Sequence, residues 1–176
     1  MYATLFFYTT FSNSRLFWHF TFCQKNIIRP AVGDLAPEIK LPNKTGDSIA
    51  LSDLRGKVIF IDFWASWCRT CRVENIPLRN AYNTYKDETF DIGNGFEVFS
   101  ISLDTDSLIW QKAIKNDQLV WENHVCDFKK WDSPLVSLYN FRYLPHNVLI
   151  DRNGIIIAKG LFGEDLANTL REHLAE

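Results

Sequence analysis

The stretch KVIFIDFWASWCRTCR, residues 57–72, decides how the rest of the chain is read. Its first part, KVIFIDFWA (57–65), is a nearly continuous apolar run of strand length, the pattern of a strand buried on both faces. Cys68 and Cys71 follow at once, and from Cys68 to about Lys86 the apolar residues Val73, Ile76, Ala81 and Tyr85 fall at helical spacing. Pro77 is expected to bend or locally open that helix, because it lacks a backbone donor and crowds the preceding turn. The two thiols therefore stand where a buried strand becomes a helix. Unpaired N–H groups at a helix start stabilise negative charge and lower the pKa of a thiol in the first turn, here Cys68, and Arg69 and Arg72 add positive field. Cys71 shares that helical face, at a Cα separation of about 5 Å that a disulfide can span. The order assigns attack to Cys68 and resolution to Cys71, one turn deeper.

A chain of 176 residues, 47% of them hydrophobic, can bury one sizeable core. The formal charge of -2, with both signs interspersed, offers no basic face for nucleic acid and no polybasic membrane patch. Four cysteines, at positions 23, 68, 71 and 126, are too few and too irregular to staple a miniprotein. A zinc site would want a second close pair or two nearby histidines, and His124 and His146 lie far off in sequence, so neither metal nor cofactor is expected. Cys23 and Cys126 lack a pattern that would activate a thiol and read as incidental.

Residues 1–28 are crowded with Phe, Tyr, Trp and Thr and carry no charge before Arg15. They read as an N-terminal extension, either an atypical signal or anchor that could associate with a membrane, or a segment that packs on the domain or frays. The basic start of a secretory signal is missing, and Arg15 and His19 interrupt the apolar run of about 20 residues that a spanning helix needs. The domain itself is assigned to residues 29–176.

Beyond the cysteine pair the chain reads as α/β. EIKL (38–41) and SIAL (48–51) flank the turn-rich PNKTGD and predict an N-terminal hairpin. FEVFSISL (96–103) is a second buried strand, and DTDSLIWQKAIKND (104–117) a helix opened by capping acids and Ser107. Ser133 and Pro134 have the order of N-cap and first helical residue. HNVLID and GIIIAKG form a hairpin turning at Gly154, and Leu166, Leu170 and Leu174 make one apolar stripe on a terminal helix. Trp110, Trp121 and Trp131 read as packing, and His146 as a loop histidine without a role. The sum is a central mixed sheet with helices on both faces.

Asp62 stands out within IFIDFW, since an ionised carboxylate buried there costs several kcal/mol unless it is paired or protonated. A carboxyl with a raised pKa near Cys71 could take that thiol's proton during resolution. Glu74, three residues after Cys71, is a second candidate for proton handling.

WASWCRTCR, preceded by KVIFIDF and followed by ENIP, resembles the bacterial thioredoxin-like thiol-disulfide oxidoreductases of the TlpA and ResA type, which overlap the AhpC/TSA peroxiredoxin-like group. The resemblance runs over about residues 33–175, through GDLAPEIKL, LSDLRGKV and LPHNVLIDRNGIII. It implies a thioredoxin fold and disulfide exchange with protein disulfide or dithiol substrates, fed by an upstream thiol electron donor. It also implies a monomer in the cell envelope, periplasmic or membrane-anchored, with the cytoplasm as the alternative. Pro145 would be the cis-proline facing the cysteines, Asp62 the buried acid of thioredoxins and Glu74 the acid after the second cysteine. Trp67, Leu144 and Pro145 would then contact substrate, the last two through main-chain pairing with an extended segment.

Two departures are plain. Arg69 and Thr70 stand between the cysteines where many members have proline before the second, and position 62 is Asp where many of this type have an amide. A thiol peroxidase is the rival enzyme, but it would need Pro-x-x-x-Thr-x-x-Cys around the attacking thiol, and DFWASW precedes Cys68. A binding module without turnover is the non-catalytic alternative, opposed by the intact Cys68, Cys71 and Pro145.

Overall fold

The computed structural model describes residues 29–176; the extension over residues 1–28, Cys23 included, lies outside that range. The apolar run after Lys57 forms β3 (Val58–Trp64), and all seven residues are buried. It is the middle strand of a five-stranded sheet, between β6 (Phe96–Ser102) and β8 (His146–Ile150). β3 and β6 run parallel with Asp62 beside Ser100, whereas β8 runs antiparallel with Asn147 on the other side of Asp62. β7 (His124–Cys126) extends the sheet beyond β6, and β9 (Ile156–Lys159) closes the opposite edge. This is the mixed sheet that the alternation of strands and helices implies.

Burial on both faces of β3 requires cover on both. α1 (Arg69–Tyr85) and α4 (Asp165–Glu172) lie over the face that carries Phe60 and Asp62, through Leu78 and Leu166. On the opposite face Phe63 packs against Tyr139, the C-cap of the short α3 (Pro134–Leu138), with ring centroids 5.0 Å apart. The expected N-terminal hairpin is β1 (Lys40–Pro42) with β2 (Ser48–Ala50). Its turn is held by the Asn43 side chain, whose Oδ1 accepts from the N–H groups of Thr45 and Asp47 at 2.9 Å. α2 (Ser107–Asn116) starts at Asp106, which caps it by accepting from Ile109 N–H at 2.9 Å.

Several details differ from the sequence reading. α1 continues as one helix through Pro77; the missing donor faces a helix whose other turns remain paired. Ser133 does occupy the N-cap of α3, but its hydroxyl makes no capping bond. α4 ends at Glu172, so Leu174 leaves the helical stripe and instead forms a bridge with Phe90. His146 begins β8 rather than lying in a loop, and Trp131 is 38% exposed while Trp110 and Trp121 are buried. The short β4 (Thr89–Phe90) and β5 (Gly93–Asn94) were not legible as strands.

β5 shows how closely this ribbon meets the central sheet. A Cβ on Gly93 would lie 2.8 Å from the backbone nitrogen of Val58, an atom that the strand pairing of β3 fixes. Gly93→Ala is therefore expected to destabilise the fold by about 1–3 kcal/mol, the usual range for overpacking. Denaturant unfolding of the two proteins checks this.

Candidate active site

β3 ends at Trp64 and α1 begins at Arg69, so the turn between them is four residues long, Ala65–Cys68. Cys68 occupies the N-cap, just ahead of the helix. Its Sγ accepts from the Cys71 N–H at 3.2 Å and is bonded to the Cys71 sulfur, with Cα atoms 5.3 Å apart. The pair is thus present as a disulfide. Cys68 is 7% exposed and Cys71 1%, so the outer sulfur is the one a partner can approach.

The turn is fixed by side chains that the sequence reading passed over. Asp104, buried two residues beyond the end of β6, accepts from Ser66 N–H at 3.0 Å, from the Ser66 hydroxyl at 2.5 Å and from the Ser102 hydroxyl at 2.6 Å. Three donors make its burial tolerable. Arg72 donates to the Ser66 carbonyl at 3.2 Å and forms a two-pronged ion pair with Asp117, which also accepts from Asn75 at 2.7 Å. Ser66 is therefore held at its amide, hydroxyl and carbonyl. Arg72, expected to lend positive field to the thiols, is bound to a carboxylate instead. Arg69 is exposed and has no carboxylate partner among the described residues.

Asp62 lies on β3, two residues before that strand ends at Trp64. It is buried, and among the described residues the one hydrogen bond of its side chain comes from the Ser100 hydroxyl at 3.4 Å. Ser100 in turn accepts from the Trp121 indole N–H at 3.0 Å, which leaves its own proton free for Asp62. Burial pushes the Asp62 carboxyl up to about 7; the Ser100 bond pulls it back, and the charge of Glu74 pushes it further up. Cys71, Glu74 and Leu78 fall on one face of α1 by their spacing, the face turned to Asp62. Glu74 also accepts from the Gly163 N–H at 2.8 Å, tying α1 to the loop before α4.

Asp62, Glu74, Pro145 and Leu161 line a small cavity of about 20 Å³, room for one water molecule. The Leu144–Pro145 bond is cis. The register that sets Phe63 beside His146 brings Pro145 level with the end of β3, where the chain turns toward Cys68. Trp67 is 48% exposed, its ring 6.4 Å from that of Trp131. Cys126 stands apart from this group: burial pushes its thiol up to about 11, so it stays protonated. Among the described residues no three His, Cys, Asp or Glu side chains converge as a metal-binding group.

The AhpC/TSA family model matches residues 32–159. The chain belongs to the AhpC/TSA family. A relative from Bacillus cereus named thiol-disulfide oxidoreductase ResA is 27% identical over 143 residues, 81% of this chain and 76% of its own length. The crystal structure of the thioredoxin domain of a thiol-disulfide oxidoreductase from Bacteroides vulgatus superposes with a TM-score of 0.73 at 36% identity, covering 81% of this chain and 96% of that one. A thiol-disulfide oxidoreductase from Bacteroides fragilis gives 0.71 at 35% identity, covering 79% and 98%. Within its family the chain is thus a thioredoxin-fold thiol-disulfide oxidoreductase of the TlpA/ResA type, with the CxxC pair that disulfide exchange requires.

Asp104→Ala would strand the Ser66 amide, the Ser66 hydroxyl and the Ser102 hydroxyl. It is expected to lower stability by about 3 kcal/mol, as for lost bonds to a charged group, and to slow exchange; denaturation of the oxidised protein gives the first quantity and turnover the second. Asp62 makes stability depend on pH. Its folded pKa lies above the unfolded value of 3.8, so its contribution is intact below that value and is lost as pH rises toward about 7. Relative to Asp62→Asn, the parent protein is expected to lose on the order of 4 kcal/mol between about pH 4 and pH 8. Parallel melts across that range check it.

Proposed function

We propose that the protein reduces disulfides in protein substrates, with Cys68 as nucleophile and Cys71 as resolving thiol. The observation that carries the reading is the position of the pair: Cys68 at the N-cap of α1 and the more exposed of the two, Cys71 buried one turn on, and the buried Asp62 on the adjoining strand with its pKa near neutrality. In the reduced enzyme the Cys68 thiolate attacks one sulfur of a substrate disulfide, and the bond electrons leave on the other sulfur. Asp62 then takes the proton of Cys71, directly or through water at Glu74. The Cys71 thiolate attacks Cys68, the second substrate thiolate departs, and the Cys68–Cys71 disulfide remains. A dithiol donor returns the pair to its reduced form by the same chemistry in reverse.

Helix-start electrostatics favours Cys68 for the first step, because it stands at the N-cap of α1 and its sulfur accepts from the Cys71 N–H. Trp67, Leu144 and Pro145 flank that sulfur and take the substrate strand, with the backbone of Leu144 offering the main-chain partners. The relation to ResA-type oxidoreductases supports a place in the cell envelope, with residues 1–28 as the link to the membrane and residues 29–176 as the working domain. Among the described residues no helix is long and apolar enough to cross a membrane.

Insulin reduction with a dithiol donor, run beside hydrogen peroxide consumption, separates this activity from a peroxidase and from a binding module; turnover is expected in the first assay alone. Cys71→Ser should retain attack and accumulate a Cys68-linked mixed disulfide with substrate. Asp62→Asn should slow release of reduced substrate at least tenfold with little effect on the first attack, the size of a lost general base being about 10²–10⁴ at most. Failure of Cys71→Ser to trap any protein, while the parent enzyme turns over, would show the two-step scheme to be wrong.

A further inference from the structure

A row of rings leads away from the disulfide on the face opposite Asp62. Trp67, next to Cys68, lies 6.4 Å from Trp131; Trp131 lies 6.2 Å from Phe141; and Phe141 is stacked on His146 at 4.9 Å with 12° between the planes. His146 follows Pro145 directly, so the row joins the two chain segments that flank the reactive sulfur. At its far end is an open pocket of about 300 Å³ lined by Arg29, Asn140, Phe141, Arg142, Tyr143 and His146. That volume is at the lower bound of ordinary binding clefts.

The lining carries two guanidinium groups and no carboxylate. Neither Arg29 nor Arg142 has an ion-pair partner among the described residues, whereas Arg72, Lys44 and Lys57 all do. Lys130 adds a third cation to the row, its Nζ 5.3 Å above the Trp67 ring. Tyr143 is 70% exposed at the pocket mouth. Asn140, at φ 52° in the left-handed region that Asn tolerates, turns the chain between α3 and these residues.

We propose that this pocket is a substrate subsite that receives an acidic, aromatic-bearing segment next to the disulfide of a protein substrate. Unpaired arginines supply the two-pronged donors that carboxylates favour, and the exposed rings of Trp67 and Trp131, backed by the buried Phe141, give the neighbouring side chains an apolar bed. Two exposed tryptophans together with the pocket suit a peptide segment rather than a lone anion. The inference rests on the exchange reading above and narrows its substrates to those with acidic residues beside the target cysteine.

The test uses two cysteine-free peptides, one carrying Glu and Tyr, the other Lys and Tyr at the same places, titrated onto the oxidised full-length protein. Tryptophan fluorescence gives affinity and amide chemical shifts give location. The acidic peptide should bind at least fivefold tighter, lose that advantage in high salt and shift residues 140–146. Arg142→Glu, at an exposed position, should reverse the preference. Equal affinity, a preference that survives Arg142→Glu, or shifts confined to another face would overturn the proposal. Displacement of the acidic peptide by glutathione disulfide at equal affinity would also overturn it, since the occupant would then be a small carboxylate. Because the peptides carry no sulfur, these outcomes are independent of the insulin assay, which alone decides the exchange reading.

Discussion

Three atoms of Ser66 are bound by two buried or half-buried ionic groups, and the geometry of the cysteine pair depends on that grip. A strand that is apolar on both faces has no internal reason to stop at one residue rather than the next, and a helix start can slide by one position at small cost. Asp104 from the end of β6 and Arg72 from the first turn of α1 remove that freedom. They fix where β3 ends and where α1 begins, so Cys68 falls at the N-cap with its sulfur toward the free amides. Because Arg72 is anchored by Asp117 beyond the C-terminus of α2, the turn is also braced against a third element. The carboxyl ends of β3 and β6 thereby form one rigid rim, the place where open α/β sheets carry their chemistry.

The same rim sits above a destabilising group. Among the described residues the Asp62 side chain has one long hydrogen bond and no cation, in contrast to Asp104 with three donors at short range. Two buried carboxyl groups near the carboxyl ends of β3 and β6 thus differ: one is satisfied by three donors and holds the backbone of the turn, the other has a single neutral donor and its pKa is pushed up by burial to about 7. Replacing Asp62 by a residue that fits its surroundings would be expected to gain stability and lose proton handling, the usual opposition at active sites. The Trp121 and Ser100 pair moderates the penalty without abolishing it, since it offers a neutral donor rather than a charge.

The sequence made the central strand, the helix after it and both hairpins legible because each follows from local pattern: a continuous apolar run, helical spacing, and turn residues between strands. Cys68 and Cys71 were readable from spacing and Asp62 from its misfit in an apolar run. Ser66, Asp104 and Asp117 were not, since their meaning lies in contacts 38 to 45 residues apart in the chain. Asp104 did carry one signal, an acid directly after the apolar ISL of a buried strand, but that position reads equally well as a helix cap. Arg72 misled for the same reason: its nearness to the cysteines was visible, its partner was not. The stretch after Trp121 gave no strand pattern, and β7 forms because β6 offers it an open edge.

With Arg72 neutralised by Asp117, the bias on Cys68 comes from the amides of the α1 N-terminus and from Arg69, which points its charge into solvent and is screened there. The Cys71 N–H, which donates to the Cys68 sulfur at 3.2 Å, is not screened in this way. In the proposed scheme a Cys68 thiolate would keep that short-range contact, which depends little on salt, and stabilising the thiolate favours the reduced pair. In the same scheme the proton of Cys71 passes to Asp62, whose carboxyl is pushed up to about 7 by burial and further raised by the charge of Glu74. The order assigned to the two sulfurs in that scheme matches where they sit on a single helical turn, Cys68 at the N-cap and Cys71 one turn deeper and more fully buried.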